Sequence, residues 1–358
     1  MKIFDAISKY GHEQIVLCHD ETTNLRAVIA IHNTILGPAL GGCRMWPFES
    51  EEEAIFDAMR LSRGMTYKNA AAGLNLGGGK AVIIGDPNKD KGEALFRAFG
   101  RFVQSLGGRY ITAEDVGTSV EDMEFIKMET SYVAGLPEEF GGSGDPSPFT
   151  ALGVFEGIKA SVKYRMKKDD LKGIRVAVQG LGHVGYYLCE MLHETGVELI
   201  VTDIFEEKVD RVVSDFGARA VKDDKIYDAD ADVFAPCALG AVINDETIKR
   251  LKFKIIAGGA NNQLLDEKIH GKKLKEKNIL YSPDYLINAG GVTNVFFEVI
   301  REYSRDRVTK KVKNIYNILM EVYHIADEQN ITTVEAAAHL VEKRLNTIRT
   351  VHQNYLRT

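Results

Sequence analysis

The chain is poor in cysteine: four in 358 residues, none in a CxxC pair and none clustered with the nine histidines at a metal-ligand spacing. A disulfide framework and a Cys/His metal centre are therefore not expected, and the thiols should be reduced. Cys18 and His19 are adjacent, which on a strand turns their side chains to opposite faces and away from a shared metal. No apolar run approaches the length of a membrane span, and residues 1–14 lack the apolar core of a signal peptide, so a cytoplasmic protein is expected. There is also no excess of positive charge. The formal net charge is -6, whereas binding a phosphate backbone needs clustered Lys and Arg, so neither a nucleic acid nor a membrane is expected as partner. Lys272, Lys273, Lys275 and Lys277 read as a solvated helix face. Internal repeats and low-complexity tracts are absent too.

What is present is an ordinary globular composition, 45% hydrophobic and 27% charged, in a chain long enough for two domains. Apolar segments 14–19 and 25–32 flank a polar stretch and read as a hairpin. Ser50 with Glu53 three residues on forms a capping box, after which Ala54, Ala58, Leu61 and Met65 recur at helical spacing to about Lys68. Gly77-Gly78-Gly79 breaks that pattern ahead of a short β-like segment, 81–84. A helix near 93–106 leads to strand-like Tyr110-Ile111-Thr112. Residues 141–148 combine five Gly or Pro with small polar residues, the composition of a hinge. The expected division is a substrate and catalytic domain over 1–140, a Rossmann-type domain over 141–330 and a helical segment over 331–358. In the second part, apolar segments 174–178, 199–201, 233–234 and 255–256 alternate with helical patterns, the signature of βαβ units and a parallel sheet. The fold class is α/β, and the pattern turns purely helical from about Arg301.

The most specific motif follows the first of those strands. Residues 174–179 run into Gly180-Leu181-Gly182-His183-Val184-Gly185 and then into a helical pattern. The first glycine permits a tight turn, the second lets backbone approach a pyrophosphate, and the third allows close helix packing, with the anion at the helix N-terminus. The next strand ends at Asp203, placed to hydrogen-bond an adenosine ribose. A carboxylate there repels a 2′-phosphate, and no Arg follows it, so NAD is favoured over NADP. In the first part, Lys80 follows three glycines but does not complete a phosphate-binding P-loop: position 74 is Leu and position 81 is Ala. Bare backbone lying close to another group, with an ammonium presented beyond it, is the alternative.

Taken in order, Gly37-Pro38-Ala39-Leu40-Gly41-Gly42, Leu61-Ser62-Arg63-Gly64-Met65-Thr66-Tyr67-Lys68, Gly77-Gly78-Gly79-Lys80, Thr112-Ala113-Glu114-Asp115-Val116-Gly117, the 180–185 turn, Gly258-Gly259-Ala260-Asn261-Asn262 and Asn288-Ala289-Gly290-Gly291-Val292 span nearly the whole chain. In these the sequence resembles the glutamate/leucine/phenylalanine/valine dehydrogenases, and within that family the leucine dehydrogenases. The resemblance implies NAD-dependent, reversible oxidative deamination of an apolar L-amino acid to a 2-oxo acid and ammonia. It gives Lys80 the catalytic role and Asp115 proton transfer. It pairs Lys68 with the substrate α-carboxylate, sets Asn261 or Asn262 on the substrate or nicotinamide, and sets Thr150 on the carboxamide. Gly41-Gly42 would leave room for the substrate backbone, and Leu40, Ala113, Val292 and Val295 would line an apolar side-chain pocket. Glutamate-specific relatives carry a lysine where this chain has Leu40. The resemblance also implies a homo-oligomer, with an octamer among the options.

Acid–base chemistry suits this cast: water attacking an iminium needs a base near neutral pH, and burial beside another cation, Lys68 for example, would lower the pKa of Lys80. Each residue alone admits a plainer role: Lys68 a surface lysine, Asp115 a helix cap, Asn261 a turn residue, Leu40 a core leucine. Phenylalanine, valine or tryptophan dehydrogenase of the same family remains an alternative, because one methylene in an apolar pocket discriminates by only ~1–3 kcal/mol. Phe296 and Phe297, if either faces the pocket, would change its size. A 2-hydroxy-acid dehydrogenase or a non-catalytic NAD-sensing scaffold are further readings. The assignment of Asp203 is testable directly: Asp203→Ser with Ile204→Arg should move cofactor preference towards NADP, measured as the ratio of initial rates. An unmoved ratio means Asp203 does not face the ribose.

Overall fold

The computed structural model describes residues 2–238 and 240–355, with side chains as far as Val351. Two compact units emerge: residues 1–145 with Val295–Tyr303 and the chain from Val341 onward, and Pro146–Asn294 with Ser304–Leu340.

The first unit holds helix α1 (Ile3–Tyr10), strands β1 (Gln14–Asp20), β2 (Leu25–Asn33), β3 (Ala39–Leu40) and β4 (Cys43–Trp46), helix α2 (Glu51–Ala71), strand β5 (Gly77–Ile84), helix α3 (Glu93–Ser105), strand β6 (Tyr110–Ile111) and helix α4 (Val120–Lys127). Its sheet runs β1-β2-β5-β3-β6, with β4 also on β5. β1 and β2 form the expected antiparallel hairpin, β2 is antiparallel to β5, and β3, β4 and β6 add parallel pairings. The period-2 alternation of β2 feeds both faces. Ile29 and Ile31 join Phe96, Phe99, Val103, Met123 and Ile126 from α3 and α4, while Val28 and Ala30 pack with Ala54, Ala58 and Met59 of α2.

Two local expectations need correcting. The strand expected over 81–84 begins at Gly77, because α2 lies so close to it that side chains would not fit: a Cβ on Gly78 would stand 2.2 Å from Thr66 Oγ1. Only half of the capping box at Ser50 forms. Ser50 Oγ accepts from Glu53 N at 3.2 Å, but the Glu53 carboxylate turns to Glu49 N, one residue further back.

The second unit holds α5 (Ser147–Met166), β7 (Arg175–Gln179), α6 (His183–Glu194), β8 (Glu198–Thr202), α7 (Glu206–Phe216), β9 (Arg219–Ala220), β10 (Val233–Pro236), α8 (Thr247–Arg250), β11 (Ile255–Ile256), α9 (Glu267–Glu276), β12 (Leu280–Tyr281) and α10 (Asp284–Ile287). Then follow α11 (Gly290–Val299), α12 (Arg305–Lys313), α13 (Ile315–Glu328) and α14 (Thr333–Tyr355). All pairings are parallel, in the order β12-β11-β10-β7-β8-β9. Numbered from its own first strand this is 6-5-4-1-2-3, the doubly wound dinucleotide-binding order with its switch point between β7 and β10. Helices α11 and α14 each begin in this unit and end in the first.

Beneath α2 lies a buried polar cluster that no motif announced. His12 Nε2 is 3.0 Å from Met59 O and from Ser62 Oγ; His32 Nδ1 is 2.8 Å from Thr66 Oγ1 and its Nε2 is 3.1 Å from Tyr10 O. Burial pushes the His32 pKa down to about 4, and the neighbouring His12 adds to the effect. In the unfolded chain the same imidazole titrates near 6.5. Between those values the unfolded state binds the extra proton, so stability is lost as pH falls from about 6.5 to 4, by up to about 3 kcal/mol from this group. His32→Gln should therefore be less stable than wild type at pH 7.5 yet lose less on going to pH 4.5, read from urea midpoints. Parallel pH slopes would contradict the assignment.

Candidate active site

Lys80 occupies the centre of β5 and is 6% exposed. Its Nζ is bonded to Asp115 Oδ2, and Asp115 lies in the stretch after β6, which runs beside residues 39–46 through Gly41 N to Ile111 O, Cys43 N to Ala113 O and Met45 N to Val116 O. Asp115 is not a helix cap: Ser119 caps α4, in a complete capping box with Asp122. Burial lowers the pKa of Lys80 against the pull of Asp115, and the Arg44 guanidinium adds to the lowering. Burial alone would raise the Asp115 pKa, but Lys80 and Arg44 together hold it below the ordinary value. Arg44 was not singled out from the sequence. Its Nε donates to Asp115 Oδ2 at 3.2 Å and its Nη1 to Asp57 Oδ2 at 2.8 Å.

The glycines have packing reasons of their own. Gly42 lies between the strands that carry Lys80 and Asp115: its O accepts from Ala81 N, and a Cβ on it would stand 2.9 Å from Asp115 Cβ and 2.5 Å from Glu114 O. A Cβ on Gly41 would fall 1.7 Å from Gly79 O. The side-chain positions of this pair are thus filled by the protein's own chain, which requires glycine at both. Leu40, on β3, is 2% exposed between Gly78 and Ile111, and Ala113 is half-buried. Lys68 is half-buried on the last turn of α2. That turn is tied to β5 by Asn69 Nδ2, which donates to Gly77 O at 2.6 Å.

In the second unit the turn after β7 has the geometry a dinucleotide requires. Gly180 is left-handed, φ +93°, and a Cβ there would collide with Ala238 in the loop after β10. A Cβ on Gly185 would fall 2.0 Å from Gly180 O, whereas Gly182 faces open space. Helix α6 starts at His183, followed by Val184 and Gly185, with no side chain capping it. Its N-terminal amides and dipole suit a pyrophosphate. Asp203 accepts from Leu181 N at 2.6 Å and from Phe205 N at 3.0 Å, which fixes its carboxylate beside the glycine turn. These residues fit a dinucleotide.

Asn261 and Asn262 are exposed, Asn262 with φ +51°. Asn288, a residue the sequence reading left without a role, donates to Asn261 Oδ1 at 2.7 Å and to Gly259 O at 3.2 Å. Thr150, on α5, donates to Pro146 O and packs where a Cβ on Gly291 would be, 2.7 Å away. Val292 and Val295 are half-buried on α11, Val292 in the second unit and Val295 in the first. Phe296 is half-buried and Phe297 is buried, their rings in T-shaped contact. All four cysteines are free. Among the described residues, no group of His, Cys, Asp and Glu could hold a metal, and no helix is long and apolar enough to cross a membrane.

Comparison with known proteins agrees across both units. Residues 12–132 match the Glu/Leu/Phe/Val dehydrogenase dimerisation domain, and residues 141–203 and 201–352 match the Glutamate/Leucine/Phenylalanine/Valine dehydrogenase family. The leucine dehydrogenase of Thermoactinomyces intermedius is 60% identical, over 99% of this chain and 97% of its own. The phenylalanine dehydrogenase of Caldalkalibacillus thermarum is 52% identical, over 96% and 93%. The crystal structure of L-tryptophan dehydrogenase from Nostoc punctiforme superposes with a TM-score of 0.88 at 48% identity, covering 97% of this chain and 99% of that one. With the buried lysine–aspartate pair on one sheet and the dinucleotide turn on the other, this chain belongs to the glutamate/leucine/phenylalanine/valine dehydrogenase family.

Proposed function

We propose that the protein catalyses the reversible, NAD-dependent oxidative deamination of an apolar L-amino acid, leucine foremost, to the 2-oxo acid and ammonia. The observation that carries this reading is Lys80: a buried amine, lowered in pKa and bonded to a carboxylate, in a chain with Leu40 instead of a second lysine. Bound NAD supplies the acceptor for the substrate Cα hydride, and Gly180, Gly182, His183, Val184, Gly185, Asp203 and Thr150 hold it. Asp203 favours NAD over NADP by repelling a 2′-phosphate.

Once the substrate is an iminium, neutral Lys80 takes a proton from water as the oxygen bonds to Cα. The proton gained by Lys80 passes through Asp115 to the nitrogen of the carbinolamine, the C–N bond breaks, and Lys80, neutral again, takes the hydroxyl proton, giving the 2-oxo acid and ammonia. Lys68 binds the α-carboxylate, Asn261 and Asn262 orient the substrate, and Gly41 and Gly42 present bare backbone to it. Leu40, Ala113, Val292 and Val295 make its side-chain pocket apolar, where a second carboxylate would be buried without a partner. Phenylalanine or tryptophan is the second reading, supported by the relatives of those specificities. We also read the protein as a cytoplasmic homo-oligomer, possible octamerisation included, since the first unit matches a dimerisation domain. Initial rates for leucine, valine, isoleucine, phenylalanine, tryptophan and glutamate, each with NAD and NADP, test the whole reading. Leucine with NAD should be fastest, and glutamate with NADP fastest would refute it.

Two substitutions test the roles. Lys80→Ala should lower kcat by ~10²–10⁴-fold with NAD binding intact, and retention of more than roughly a tenth of kcat would remove Lys80 from base catalysis. Leu40→Lys should depress kcat/KM for leucine far more than for glutamate, by on the order of tenfold or more in their ratio. A loss of stability lowers both activities alike, so an unchanged ratio means Leu40 serves only the core.

A further inference from the structure

Arg44 follows the Gly41-Gly42 pair on a strand where Cys43 and Met45 point into the core, so its side chain takes the other face. There it meets two carboxylates at once. Nε reaches the Asp115 oxygen that also holds Lys80, and Nη1 reaches Asp57 of α2, whose second oxygen accepts from Arg60 at 2.9 Å. The Arg44 and Asp57 side chains are 23% and 13% exposed, so the contact is shielded from bulk water. We propose that Arg44 is a positioning residue for the reaction: anchored by Asp57, its permanent charge keeps Asp115 an anion aimed at Lys80 while the amine is neutral and ready to take a proton. This rests on the roles proposed above for Lys80 and Asp115.

The need for such a group follows from the chemistry of the pair. A buried carboxylate beside an ammonium stays ionised while the ammonium is charged. When Lys80 gives up its proton to work as a base, that counter-charge vanishes, and burial then favours protonating Asp115. The pair would hold its proton to higher pH, and the state with a free amine beside an ionised Asp115 would be scarce. A guanidinium does not titrate in this range, so Arg44 supplies the missing positive charge in every state. Its planar fork also spans two carboxylates, which a single ammonium does not reproduce.

Cys43, Tyr110, Glu114 and Asp122, which also surround the pair, carry no positive charge. Cys43 and Tyr110 are buried and held neutral by desolvation. Glu114, next in the chain, faces Asp145 and Asp115 and is raised by its own partial burial and by these like charges. Asp122 of α4 is engaged by Lys91. Both Arg44 and Lys80 pair with Asp115, through the same oxygen.

The test compares Arg44→Met and Arg44→Lys with wild type in the full-length chain, using two readouts. One is the pH profile of kcat/KM for leucine with NAD. The other needs no substrate: the pH dependence of Lys80 acetylation by a trace of acetic anhydride, quantified by mass spectrometry of the Lys80 peptide. In Arg44→Met the acid limb and the Lys80 labelling curve should both move to higher pH by about one unit, in line with losing an opposite charge in contact. In Arg44→Lys the charge survives without the fork, so both curves should stay within about 0.3 units of wild type while kcat falls several-fold. Unmoved curves in Arg44→Met, with only kcat or stability reduced, would overturn the proposal. If wild type does not oxidise leucine, the proposed function fails, and the labelling curves still decide the role of Arg44.

Discussion

The site depends on a lysine ammonium and an aspartate meeting across a strand that has no side chain in the way. Lys80 comes from β5 and Asp115 from the stretch after β6, and residues 39–46 run between them with Gly42 at the crossing point. Any side chain at 42 would push the two apart. Gly77, Gly78 and Gly79 act in the same sense on the other flank: without Cβ atoms, β5 fits in turn against the backbone of Asn33, against α2 and against Tyr110. Strand glycines weaken a sheet by roughly 0.5–1 kcal/mol each relative to Ala. Here that loss is accepted at three positions of β5, Gly77, Gly78 and Gly79, beside one buried amine.

Burial then does the chemistry. An exposed lysine is protonated at neutral pH and no use as a base, and a buried carboxylate left alone would be neutral. Putting the two in contact and adding a third, non-titrating charge gives an amine that can lose its proton and a carboxylate that remains charged when it does. The second sheet works by different physics. Its strands are short and wholly parallel, and the open end of α6 beside the switch point offers backbone donors and a dipole, not a titrating group.

How much of this was legible in the sequence depended on whether the determinants were contiguous. The glycine turn and Asp203 were readable because strand, turn, helix and acidic residue follow one another within a single βαβ unit. Lys80 and Asp115 were readable through motifs, but their contact was not, since it joins residues 35 positions apart. The start of β5 was misplaced because three glycines look like a break until the Asn33 backbone, the helix and the Tyr110 ring packed against them are seen. Arg44, Asp57 and Asn288 gave no local signal: their partners lie 71, 13 and 27 positions away. The same holds for His12 and His32, single histidines whose meaning comes from Ser62 and Thr66 on another element. Nor does periodicity reveal that the later turns of α11 and α14 group with the first unit.

The central claim, that the buried pair directs water onto an iminium and releases the amino group, is tested most directly by stoichiometry. The purified full-length chain would be incubated with leucine and NAD at alkaline pH, and NADH, ammonia and the 2-oxo acid quantified together. The account predicts equal amounts of all three. NADH formed without ammonia, or no NADH from any apolar amino acid, would contradict it.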